Sequence, residues 1–133
     1  MAEGLLRKLA GNKSLEISSA GTAAYPGVPA THEAVNTMLE EGIDISAHRS
    51  RALDGFMLEE ADVVFVMTEG HRRQITEWFK SVAPKVRLLR EYDPVKDDEF
   101  YPEIPDPLTG TAEDYHLVKE LLKRAITEIE REL

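Results

Sequence analysis

Asp62-Val63-Val64-Phe65-Val66-Met67 is the stretch on which the fold class turns. From Val63 to Met67 it is continuously apolar and rich in β-branched side chains, the composition of a parallel strand covered on both faces. Thr68 to Val82 then spaces Ile75, Trp78, Phe79 and Val82 as a helix does, which predicts a helix with Trp78 and Phe79 in the core, ended by Pro84. Lys85-Val86-Arg87-Leu88-Leu89 reads as a second strand. Strand, helix and strand in this order point to an α/β chain with a parallel sheet.

Working toward the N-terminus, Leu53 to Ala61 reads as a short helix and Ile43 to Ser50 as irregular chain. Thr31 to Glu41 predicts a helix with Thr31 as N-cap, Ala34, Val35, Met38 and Leu39 inward, and Gly42 at the stop. Gly21 to Thr31, with its glycines, prolines and Tyr25, is a loop. Leu15-Glu16-Ile17-Ser18-Ser19 alternates as a short strand, and Met1 to Ala10 carries Leu5, Leu6 and Leu9 on one helical face. Toward the C-terminus, Glu91 to Gly110 is a long loop holding four of the seven prolines, a length that usually signals function. Thr111 to Leu133 is a final helix with a Thr111/Asp114 capping box and a stripe of Leu117, Leu121, Ala125 and Ile129. The chain opens on a helix with no strand before it, although the first strand-to-helix turn is the usual ligand site of a doubly wound fold. The expected architecture is a three-layer doubly wound parallel sheet in one domain spanning 1–133, with its first central strand missing.

At 133 residues the chain has room for one core. A formal net charge of -9 argues against nucleic-acid and anionic-membrane partners, which select basic surfaces. No apolar run is long enough to cross a bilayer and no targeting segment is visible, so a cytoplasmic location is expected. The sequence contains no cysteine, which removes disulfides, thiolate metal ligands and any thiolate nucleophile from these residues. The four histidines, at 32, 48, 71 and 116, show no metal-ligand spacing, and no glycine-rich nucleotide loop occurs. No metal or cofactor is therefore expected.

Asp106 lies between Pro105 and Pro107, which restrict its backbone; it reads either as a directed general acid or base, or as a turn-forming residue. His48-Arg49-Ser50-Arg51 is a basic cluster that either holds an anion or forms a solvated turn, and His71-Arg72-Arg73 either lines a crevice or is exposed charge. Ser18 and Ser19 read as hydrogen-bonding loop residues, since no nucleophile elbow surrounds them.

Met1-Ala2-Glu3-Gly4-Leu5-Leu6, Ser19-Ala20-Gly21-Thr22, Gly42 through Arg51, Ala61 through Met67 and Asp106-Pro107 occur in this order. Together they make the chain similar to the low-molecular-weight protein tyrosine phosphatases, a family that includes bacterial arginine phosphatases and is related to arsenate reductases. The resemblance implies the phosphotyrosine protein phosphatase I-like fold and hydrolysis of phosphomonoesters on phosphoproteins. It implies Asp106 as the acid, Tyr25 as the aromatic wall for a substrate ring, and Ser19 and His48 as braces of the phosphate loop.

The same resemblance exposes a departure. The family begins with an apolar strand and a C-x5-R-[S/T]-P loop ahead of Met-Ala-Glu, whereas this sequence opens at Met1-Ala2-Glu3. The residues given lack the nucleophile and the phosphate-clamping arginine, so this chain is expected to be inactive alone. Leu108 also stands where the family commonly has an aromatic, which leaves phosphotyrosine and phosphoarginine both open. The expectation is a fragment of an active phosphatase; the alternatives are a catalytically dead phosphoprotein-binding or regulatory module, an arginine-phosphatase or arsenate-reductase-like relative, and an α/β scaffold with no phosphate role. Without the central strand, the edges at 15–19 and 62–67 are expected to close together, to pair with a second copy as a homodimer, or to leave 15–30 disordered.

Overall fold

The computed structural model describes residues 1–133. Its sheet is two-stranded and parallel: β1 (Val64–Val66) pairs with β2 (Val86–Leu88), Val64 opposite Val86 and Val66 opposite Leu88. The helices are α1 (Ala2–Ala10), α2 (His32–Leu39), α3 (Gly55–Glu60), α4 (Glu69–Trp78) and α5 (Ala112–Glu132), and short 3-10 turns precede and follow β2. The caps explain several of these boundaries. Thr31, Asp54 and Thr68 each accept a backbone N–H of the first turn, and Thr111 and Asp114 form a reciprocal capping box on α5.

Alternation along the first strand builds the layers. Val64 and Val66 meet an apolar cluster of Leu58, Ile75, Val82, Val86 and Leu88, under α3 and α4. Phe65 and Met67 point the other way, onto Leu5, Met38, Leu89, Ile104 and six residues of α5. The result is helix, sheet, helix, as the apolar run predicts. Across the second face Thr31 donates to the hydroxyl of buried Tyr115 at 2.9 Å, and Lys119 sits among Glu40, Glu41 and Glu120.

Several expectations are corrected. Leu15–Ser19 forms no strand. A strand needs a hydrogen-bonding neighbour, and here the Arg7 guanidinium takes the Ile17 carbonyl at 2.6 Å and Ser19 turns to Glu3, so the stretch is held at α1 and does not close against β1. Residues 21–29 pair instead with 49–53: Gly21 bridges Ala52 in parallel, and Pro29 bridges Arg49 antiparallel. Trp78 is 53% exposed, because α4 ends there and Phe79 turns in over Gly55, where an added Cβ would lie 2.9 Å from the Phe79 ring. Leu39 and Leu117 are exposed too, while Thr37, Val118 and Leu122 take the buried faces of their helices.

Candidate functional site

The two strands end toward α4 and the loops that follow, and three segments carry the residues singled out by sequence. The first is the start of α1. Its first turn carries Glu3, whose side chain is 9% exposed and gathers three partners. Arg7, one turn on, donates to it at 2.7 Å, Ser19 donates its hydroxyl at 2.8 Å, and His48 Nδ1 stands 3.6 Å away, an ionic contact when the ring is protonated. Ser19 and His48 are thus brought together through a residue that sequence reading passed over. The i, i+4 spacing of Glu3 and Arg7 was the available signal. Glu3, Arg7, Ser19, Ile45 and His48 line a cleft of about 680 Å³ whose wall includes neither Tyr25 nor Asp106.

The second segment is the 21–29 loop. Ser50 fastens it from both sides, accepting the Val28 N–H at 3.0 Å and donating to the Tyr25 carbonyl. The Tyr25 side chain itself is 80% exposed. In the neighbouring basic cluster Arg49 spends its guanidinium on the carbonyls of Ser46 and His48, closing a turn. In the other cluster Arg72 pairs with Glu69 at 3.7 Å, and His71 and Arg73 are exposed.

The third segment leads to Asp106. Ile104 is buried and donates its N–H to the Met67 carbonyl at 3.0 Å, which ties this loop to the carboxyl end of β1. The Glu103 carboxylate accepts the N–H of Glu69 at 2.8 Å, at the start of α4. Asp106, exposed, accepts the Leu108 N–H at 3.0 Å, so the turn-forming reading describes its geometry here. Behind it, buried Arg90 reaches Asp93, Asp98 and the carbonyls of Val95 and Glu103. Hydrogen bonding by Arg90 outweighs burial at Asp98 and holds its pKa down to about 2. Burial opposes ionisation of Asp93, but hydrogen bonds from Arg124, Val95 and Arg90 prevail and its pKa is lowered. No group of three or more His, Cys, Asp or Glu side chains is placed to hold a metal ion.

A family model described as low molecular weight phosphotyrosine protein phosphatase matches residues 1–133. The chain belongs to this phosphatase family. Among curated family members, it is 37% identical over 101 residues to the probable low molecular weight protein-tyrosine-phosphatase EpsP of Ralstonia solanacearum, covering 76% of this chain and 68% of that one. It is 30% identical to the protein-arginine-phosphatase of Bacillus subtilis, covering 100% of this chain and 87% of the relative. Among solved phosphatases, YwlE arginine phosphatase from Geobacillus stearothermophilus superposes with a TM-score of 0.87 at 29% identity, over 98% of this chain and 81% of that one. The tyrosine phosphatase Wzb from Escherichia coli K30, in complex with sulphate, gives 0.87 at 27% identity over 98% and 86%.

Proposed function

We propose that residues 1–133 form a single domain that serves phosphomonoester hydrolysis on phosphoproteins, with Asp106 as general acid, Tyr25 as the wall for the substrate side chain, and Ser19 and His48 as braces of a phosphate-binding loop. The observation that carries this reading is the bond from Ile104 to the Met67 carbonyl, which sets the Asp106 loop at the carboxyl end of β1. Open α/β sheets bind their ligands at that end. A thiolate would attack phosphorus as the bond to the leaving oxygen breaks, and Asp106 would give that oxygen its proton. The carboxylate would then take a proton from the water that releases phosphate. Ser19 and His48 support the reading by lying together at the start of α1, Ser19 hydrogen-bonded to Glu3 and His48 3.6 Å from it.

These residues contain no thiol. General acid catalysis supplies about 10²–10⁴-fold, against the roughly 10²¹ that the slowest phosphomonoester hydrolyses require. The 133-residue polypeptide alone is therefore proposed to be inactive, lacking the family's leading strand and C-x5-R loop. The test is hydrolysis of an aryl phosphate by this polypeptide and by a version extended ahead of Met1 with an apolar strand and C-x5-R-S-P. Activity in the extended form alone, lost in Asp106→Asn, is the expected result; turnover by the 133 residues themselves overturns it.

The lack of cysteine also fits a second reading, a phosphoprotein-binding module, which ranks below the first because Asp106, Ser19 and His48 are all retained. The reading frame upstream of the Met1 codon separates the two: an in-frame C-x5-R-S-P supports the enzyme, a stop codon the module. Substrate is proposed at the level of phosphotyrosine or phosphoarginine proteins, assayed side by side with the extended form. A cytoplasmic location and a homodimer through the outer edge of β1 complete the proposal, the latter read by the mass of the particle in solution.

A further inference from the structure

We propose that Arg90 is a positioning residue for Asp106, acting through the loop that joins β2 to α5; the functional importance of this role rests on the acid role proposed above. Arg90 is 0% exposed, unusual for a residue that is seldom fully buried unless paired. Its guanidinium spans the loop from within. Nε donates to Asp93 at 2.7 Å, one terminal nitrogen to Asp98 at 3.2 Å and to the Glu103 carbonyl at 3.3 Å, and the other to the Val95 carbonyl at 3.1 Å and to Asp98. Asp98 passes the order on, accepting the N–H groups of Phe100 and Tyr101. Asp93 is in turn clamped by Arg124 of α5 at 3.1 Å.

One planar fork thus holds 93, 95, 98 and 103 to the helix layer. Glu103 immediately precedes Ile104, the anchor on β1, and Pro105 and Pro107 leave Asp106 little backbone freedom beyond it. A lysine keeps the charge but cannot reach these acceptors at once, since its ammonium is a point and not a fork. Loop order, and with it the direction of Asp106, accordingly depends on the guanidinium.

The experiment compares the full chain with Arg90→Lys and Asp98→Ala by NMR. It reads amide exchange at Ile104 and Leu108, exchange at Leu122 and Ile126 in α5, and the side-chain carboxyl carbon resonance of Asp106. The expected result is a loss of protection of about ten-fold or more at Ile104 and Leu108, a displaced Asp106 resonance, and unchanged protection in α5. If Arg90→Lys does not fold, Asp98→Ala decides alone, because Asp98 is partly exposed and its loss leaves the Arg90, Asp93 and Arg124 contacts in place. The proposal is overturned if the loop amides and the Asp106 resonance keep their wild-type values, or if all amides lose protection together, which makes Arg90 a stabiliser of the whole fold. Either failure leaves the acid role intact, since that role stands or falls on Asp106→Asn in the extended form.

Discussion

Gly110 joins the Asp106 turn to α5, and the space around it is already filled. A Cβ there would lie 2.6 Å from Asp114 Oδ2, 2.8 Å from the Pro107 carbonyl oxygen and 3.0 Å from Asp114 Cβ. Gly110→Ala must displace the Asp114 carboxylate, which accepts the Thr111 N–H at 2.8 Å as half of the capping box. Losing that cap costs about 1 kcal/mol. The Pro107 oxygen cannot withdraw freely, because it accepts the Gly110 N–H at 2.7 Å. Crowding of this kind adds about 1–2 kcal/mol. The expected total is about 2–3 kcal/mol, a fall in Tm of about 6–15 °C for a chain of this size. Urea denaturation of Gly110→Ala, Asp114→Ala and the double variant measures it. The costs of the two single changes should not add, because Asp114→Ala removes the closest of the contacts. A Gly110→Ala protein within about 0.5 kcal/mol of wild type, or strict additivity in the double variant, refutes the steric argument.

Leu122→Ala, at a fully buried position, should cost about 2–5 kcal/mol, while Leu117→Ala, on the exposed side of the same helix, should cost less than about 1, both read from urea midpoints. Asp98 and Asp93 both have pKa values lowered by folding, so the stability they contribute is present above the ordinary value of 3.8 and is lost at lower pH, for Asp98 as pH falls toward about 2; melting temperatures across that range should decline less steeply in Asp98→Asn. An equal acid slope in both proteins would remove Asp98 from the account. Tyr115→Phe, which deletes the acceptor of the Thr31 hydroxyl, should lower stability by about 0.5–1.5 kcal/mol in the same urea assay, with no change expected in Tyr115→Phe made on a Thr31→Val background.

The elements most legible in the sequence are those whose signals are local. The apolar run at 62–67, the Thr31 cap and the Thr111/Asp114 box announce their elements because alternation, capping and spacing act within a few residues. Leu15–Ser19 has an equally good local pattern and forms no strand, since pairing depends on a neighbour that local sequence does not disclose. Leu117 and Trp78 mislead for a different reason. A stripe at i, i+4 is wide enough to be drawn a residue or two off, and only packing against Leu5, Met38 and Phe79 sets the phase. At the site, Ser19 and His48 are nameable from sequence, and the i, i+4 spacing marks the Glu3–Arg7 pair but not its contacts with Ser19 and His48, while no hydropathy pattern marks Arg90, Asp93 and Lys119 as buried charges.

The helix-side core has a consequence for how the chain comes off the ribosome. Six of its ten buried residues belong to α5, and their partners Leu5 and Met38 lie far earlier in the sequence. The apolar surface that faces α5 emerges first and stays uncovered until that helix arrives, whereas the cluster of Leu58, Val66, Ile75, Val82, Val86 and Leu88 contains no α5 residue and can close earlier. Assembly is therefore expected in two steps, the α3/α4 side of the sheet first and the α5 side last.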